Sequence, residues 1–129
     1  MGVAEKIITP NYEKLCLDIL NSDEHVRFVG FVNDKSEILH RAQRNTADSL
    51  LSDQEIGMAV HYTLERWRKA QNFAFRFGKE RLTLTEYDIV TLVTIPLKGK
   101  LLLVSTEPRI SYDAIVEKIH SVLTNWEKT

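Results

Sequence analysis

The sequence predicts an α+β fold: a five-stranded antiparallel sheet with helices on both faces, in the order α-β-β-α-β-β-β-α. Three observations carry this prediction. Three stretches repeat apolar residues at the helical spacing of three and four. Five short stretches between them are rich in β-branched, leucine and aromatic residues and are bounded by turn chemistry. The last three of these follow one another with no helix between them, whereas parallel neighbours need a long crossover.

Each element has its own signal. Thr9-Pro10 starts the first helix, because proline in the first turn lacks only an N–H that would be unpaired anyway. Tyr12, Leu15, Cys16, Ile19 and Leu20 then make one apolar stripe, and Asn21-Ser22-Asp23 ends it. The run VRFVGFVN from Val26 is apolar on both faces, with Phe28 and Val32 on one and Val29 and Phe31 on the other. Turn residues Asn33-Asp34-Lys35-Ser36 join it to EILHRAQR, whose polarity places the second strand nearer an edge.

After a loop from Asn45 to Leu51, Ser52 and Glu55 form a capping box, and Leu51 and Ile56 occupy the positions of a hydrophobic staple. Ile56, Ala59, Val60, Thr63, Trp67, Ala70 and Ala74 hold the buried face of this second helix. FAFRF also alternates like a strand, but the helical rhythm carries through it to Phe75 or Phe77, and Gly78 supplies the stop. ERLTLTEY sets Leu82 and Leu84 against Arg81, Thr83 and Thr85, as a half-buried third strand does. DIVTLVTIPL and KLLLVST are apolar on both faces and require helices above and below, with Lys98-Gly99 as the tight turn between them. Ser111 caps a last helix with Ile115, Ile119, Val122, Leu123 and Trp126 on its buried stripe.

A chain of 129 residues suits one domain, residues 1–129, and a net charge of −1 speaks against a dedicated nucleic-acid binder. Cys16 is the sole cysteine and has no internal disulfide partner, and MGVAEKIITPNYEK lacks the apolar run of a signal peptide, so a reducing cytoplasm is expected. No apolar run approaches a membrane span, and Lys6 stands where a myristoylation signal wants Ser or Thr.

Chemistry is sparse. His25, His40, His61 and His120 lie on different elements without metal-ligand spacing, and the five glycines are isolated, so neither a zinc site nor a phosphate loop is expected. Cys16 lies on a packing stripe with no histidine in a neighbouring turn, and Asp23 and Glu24 sit in a turn where solvation is expected. No nucleophile or acid/base pair can be named, so neither catalytic residues nor a cofactor are predicted.

The hairpin FVGFVNDKSEILHRAQR, the capped helix and the back half FGKERLTLTEYDIVTLVTIPLKGKLLLV together resemble the roadblock/LC7 family, whose fold is similar to profilin-like and longin domains. The resemblance runs from about Tyr12 to Trp126, with Ser36 where such hairpins usually carry glycine. It implies a binding module, typically a dimer that scaffolds or regulates a small GTPase. It also implies pairing of two sheets through the third strand, here Arg81, Leu82, Thr83, Leu84 and Thr85. Met58, Tyr62 and Phe73 fall off the core stripe of the second helix, where they either join such a dimer interface or cover loops as scattered surface residues.

From Glu65 to Arg81 six cations, Arg66, Arg68, Lys69, Arg76, Lys79 and Arg81, face only Glu65 and Glu80. Such a stretch is either a solvated helix end or a docking patch for an acidic partner. A GTPase-like partner would meet Tyr62, Glu65, Arg68, Lys69 and Arg76. The alternative reading is a PAS- or GAF-like sensor, with a small molecule held among Phe28, Phe31, Trp67 and the fourth strand.

Overall fold

The computed structural model describes residues 11–44 and 52–127. Thr9, Pro10 and Leu51, and with them the expected helix start and staple, lie outside the described residues. The elements are α1 (Tyr12–Leu20), β1 (Val26–Val32), β2 (Ile38–Gln43), α2 (Asp53–Ala70), a 3-10 turn (Gln71–Phe73), α3 (Ala74–Phe77), β3 (Thr83–Glu86), β4 (Thr91–Leu97), β5 (Lys100–Thr106) and α4 (Tyr112–Glu127). All strand pairs are antiparallel, in the order β2-β1-β5-β4-β3.

The sheet lies between two helical layers. On one face Val29, Phe31, Val93, Ile95, Leu102 and Val104 pack with Leu15, Cys16 and Ile19 of α1 and Ile115, Ile119 and Leu123 of α4. On the other, α2 sets Ile56, Val60 and Leu64 on Val32, Leu101 and Leu103, flanked by Phe28, Ile38 and Trp67. This double cover is why β1 and β5 read as apolar on both faces. Leu64 is fully buried although it falls outside the stripe read from the sequence; the helix sinks far enough into the sheet to bury one flank as well.

Local chemistry sets the boundaries. Asn11 caps α1, its side chain accepting from the Lys14 N–H. Ser52 and Glu55 make the reciprocal capping box of α2. Gly78 ends α3 at φ 82°, and Lys98 and Gly99 both take positive φ in the two-residue turn between β4 and β5. Ser36, standing in for glycine, adopts φ 68°, where Asn33 Oδ1 organises the hairpin tip by accepting from the N–H groups of Lys35 and Glu37.

Two strand boundaries differ from expectation. Arg81 and Leu82 precede β3, whose first pair is Thr83 with Thr94. Asp88, Ile89 and Val90 belong to a turn closed by the Tyr87 N–H to the Val90 carbonyl at 2.9 Å, so β4 starts only at Thr91. Pro96 is tolerated in this inner strand because β3 ends its pairing at Thr94, and the missing N–H has no neighbour to serve.

Candidate interaction surface

The two edges of the sheet are built differently. On β2 the pairing jumps from Phe31↔His40 to Val32↔Ile38, leaving Leu39 as the extra residue of a bulge, and Arg41 adds a charge that pairs with Asp53 at 3.6 Å. Bulges and edge charges are the usual means of blocking further strand addition. On β3 the four pairs from Thr83↔Thr94 to Glu86↔Thr91 run without interruption. Leu82 and Leu84 turn into the core beside α4, so by alternation Thr83 and Thr85 face the α2 layer, half-buried.

Both ends of β3 are fastened. The Thr83 hydroxyl donates to Glu80 Oε2 at 2.8 Å. At the other end the Tyr112 hydroxyl donates to Glu86 Oε2 at 2.5 Å, accepts from the Arg109 N–H at 2.9 Å and shares a hydrogen bond with buried Thr91 at 3.0 Å. The Arg109 guanidinium donates to the Asp88 carbonyl, locking the β3–β4 turn to the entry of α4. The outer edge of β3, unpaired among the described residues, is therefore held in place at both ends.

Outside the sheet, α2 and the residues after it expose a run of large side chains. Met58 and Tyr62 are 66% and 61% exposed, and Phe75 and Phe77 reach 81% and 82%. Phe73 stacks on Phe77 at 5.8 Å between centroids, and the Arg76 guanidinium lies 5.6 Å from the Phe75 ring. Phe75 and Phe77 escaped the sequence reading because they were placed on a continuing helix. The segment is helical as expected, a 3-10 turn at 71–73 followed by the short helix α3, and both rings stand exposed on it.

The predicted partner residues separate into two groups. Arg68 stays on the surface but is tied to Glu65 at 2.6 Å and to the Asp34 carbonyl of the hairpin tip. Arg66, Lys69, Arg76, Lys79 and Arg81 have no ion-pair partner among the described residues. The structure thus leaves Tyr62, Lys69 and Arg76 exposed together with Phe73, Phe75, Phe77 and Lys79, and commits Glu65 and Arg68 to each other.

Other expected features fall elsewhere. Phe28 and Trp67 lie on the α2 face and Phe31 on the α1/α4 face, so the three cannot line one cavity. The gap bounded by Val32, Val60, Thr63, Leu101 and Leu103 is too tight to admit a water molecule. Burial, aided by the nearby Glu13 charge, pushes the Cys16 thiol up to about 11, which suits packing rather than nucleophilic attack. Among the described residues no group of three His, Cys, Asp or Glu could hold a metal ion, and no helix is long and apolar enough to cross a membrane.

Asp23 is not solvated as its turn position suggested. Its side chain is 9% exposed and accepts from His25 Nδ1 at 2.7 Å and Lys118 Nζ at 2.6 Å, besides the His25 N–H. Burial raises such a carboxyl, but these hydrogen bonds and the Lys118 charge outweigh it and hold Asp23 at about 2.

The fold is that of solved roadblock/LC7 domains. A roadblock/LC7 domain from Streptomyces avermitilis superposes with a TM-score of 0.68 at 11% identity, covering 90% of this chain and 94% of that one. The gliding protein MglB from Thermus thermophilus gives 0.69 at 9% identity over 84% and 80%, and MglB from Myxococcus xanthus gives 0.66 at 15% over 95% and 88%. At such identities the likeness establishes the fold alone. A search of curated proteins returned no match. At the level of sequence, a model described as a family of unknown function (DUF6659) matches residues 4–128, so this roadblock-fold chain belongs to that family.

Proposed function

We propose that the chain is a non-enzymatic homodimeric scaffold, joined through β3, that docks a small GTPase-type protein on the basic and aromatic surface after α2. The observation that carries the reading is the contrast between the sheet edges: β2 is bulged and charged, while β3 is regular, fastened at both ends and open. An open regular edge offers unpaired backbone groups to a second strand, and a second copy satisfies them with closed two-fold symmetry. The exposed rings of Phe75 and Phe77 beside unpaired cations suit a partner with an acidic rim around an apolar centre. That this partner is a GTPase follows from the roadblock/LC7 resemblance.

Light scattering across a range of concentrations tests the dimer: a mass that stays at one chain removes it. In Thr85→Lys each strand brings a charge into the paired edge, and the dimer should dissociate while the circular dichroism spectrum is kept. Affinity capture from the source cell tests the partner. Recovery of a P-loop GTPase supports the reading, and constant recovery of an unrelated protein replaces it.

A further inference from the structure

We infer that the tip formed by the 3-10 turn and α3 is a membrane-surface seat, which sets its phenylalanine rings at the headgroup level of an anionic bilayer with its cations among the lipid phosphates and carboxylates. The inference goes beyond the docking of a protein and does not need the homodimer. From Gln71 to Phe77 no residue is buried, and none belongs to either core cluster. Phe73, Phe75 and Phe77 stand 55%, 81% and 82% exposed on this short stretch.

Rings left in water cost free energy, and their arrangement says what can cover them. Phe75 and Phe77 lie two residues apart on one short helix, about 200° round its axis. Phe73 stacks on Phe77, while Phe75 carries the Arg76 guanidinium instead. The rings therefore open in two directions. A groove on a folded partner covers one side of a helix and leaves the other wet, whereas the boundary layer of a bilayer closes around an inserted tip from every side.

Charge selects the kind of bilayer. From Arg66 to Lys79 the sequence holds five cations and no carboxylate, while the rest of the chain is net negative. An anionic surface thus repels the body and attracts this end. Arg68 is taken up by Glu65, but Arg66, Lys69, Arg76 and Lys79 have no ion pair among the described residues. Arg76 and Lys79 flank Phe77 in the chain, and their long side chains can keep the charge at the headgroups while the rings go deeper. Three rings are too few for a permanent anchor, so binding should be reversible and should weaken with salt. Because the docked protein uses the same rings, membrane and partner exclude one another at the tip.

The test floats the full chain at low ionic strength with vesicles of equal parts phosphatidylserine and phosphatidylcholine, and with vesicles of phosphatidylcholine alone. The wild type should bind the mixed vesicles at least about tenfold more tightly than the neutral ones. Phe75→Ser with Phe77→Ser, and separately Arg76→Gln with Lys79→Gln, should each weaken binding to the mixed vesicles about tenfold. All four residues are exposed, so the circular dichroism spectrum should not change. Phe75→Trp should bind as the wild type does, and its added emission should move to shorter wavelength on the mixed vesicles alone. Equal binding to both vesicles, binding that survives the loss of both rings, or an unmoved Phe75→Trp emission overturns the inference. A wild type that ignores both vesicles, while the ring variant loses the protein recovered by affinity capture, also overturns it and assigns the tip to a protein partner. A monomeric wild type that binds the mixed vesicles removes the homodimer and leaves the membrane seat standing.

Discussion

Asp23 and Arg44 hold one pole of the molecule together, and neither does so through its neighbours in sequence alone. Asp23 gathers His25 and Lys118, tying the α1–β1 turn to α4. Arg44, just past β2, donates to the carbonyls of Leu20, Asp23 and Val26 at 2.5, 2.7 and 2.6 Å, closing the end of α1 and the same turn from the other side. Because the Asp23 carboxyl lies below its ordinary value of 3.8, at about 2, its contribution is complete above pH 5 and disappears as pH falls towards 2. The shift is worth about 2 kcal/mol. Asp23→Asn should therefore lose about that much stability at pH 7, and the two proteins should converge near pH 2, as measured by denaturant unfolding at several pH values. Arg44→Lys keeps the charge but not the planar fork that serves three carbonyls, and should lower stability by about 1–2 kcal/mol in the same experiment.

At the scale of elements, what could be read in advance was what is local. The capping box of α2 is complete within four residues, and the structure forms it as expected. Ser52→Ala should cost about 1 kcal/mol, seen as a lower unfolding midpoint with an unchanged slope. The double apolar patterning of β1, β4 and β5 foretold helices on both faces, and Lys98-Gly99 foretold its turn. What stayed hidden depends on contacts distant in sequence. The start of β4 is delayed by a turn that Tyr112 and Arg109 lock from α4. The Leu39 bulge exists only relative to β1, and Arg68 was counted as free because its anchor, the Asp34 carbonyl, is remote in the chain. Of the candidate surface, Met58, Tyr62 and Phe73 were legible from helical spacing. Phe75 and Phe77 were not, because past Ala70 the chain continues as a 3-10 turn and one short helix, where the period of α2 no longer assigns a face.

At the scale of the whole molecule, a five-stranded sheet covered on both faces still exposes a regular edge and, after its long helix, a cluster of aromatic rings. Burying those rings would contribute roughly 25 cal/mol for each Å² of apolar surface removed from water, on top of the hydrogen bonds that the edge would gain. A gain of that kind links folding to association, since a species that binds only the native state stabilises it in proportion to the logarithm of its concentration. The melting temperature should therefore rise by several degrees between micromolar and hundred-micromolar protein, with the unfolding curve steeper than a single chain of this length gives. Thr85→Lys, which replaces a half-buried residue of the outermost strand, should melt at the temperature of the dilute wild type and show no dependence on concentration. Differential scanning calorimetry of both proteins across that range decides the matter, because a melting temperature that is flat in the wild type means the edge is covered by something other than a second copy.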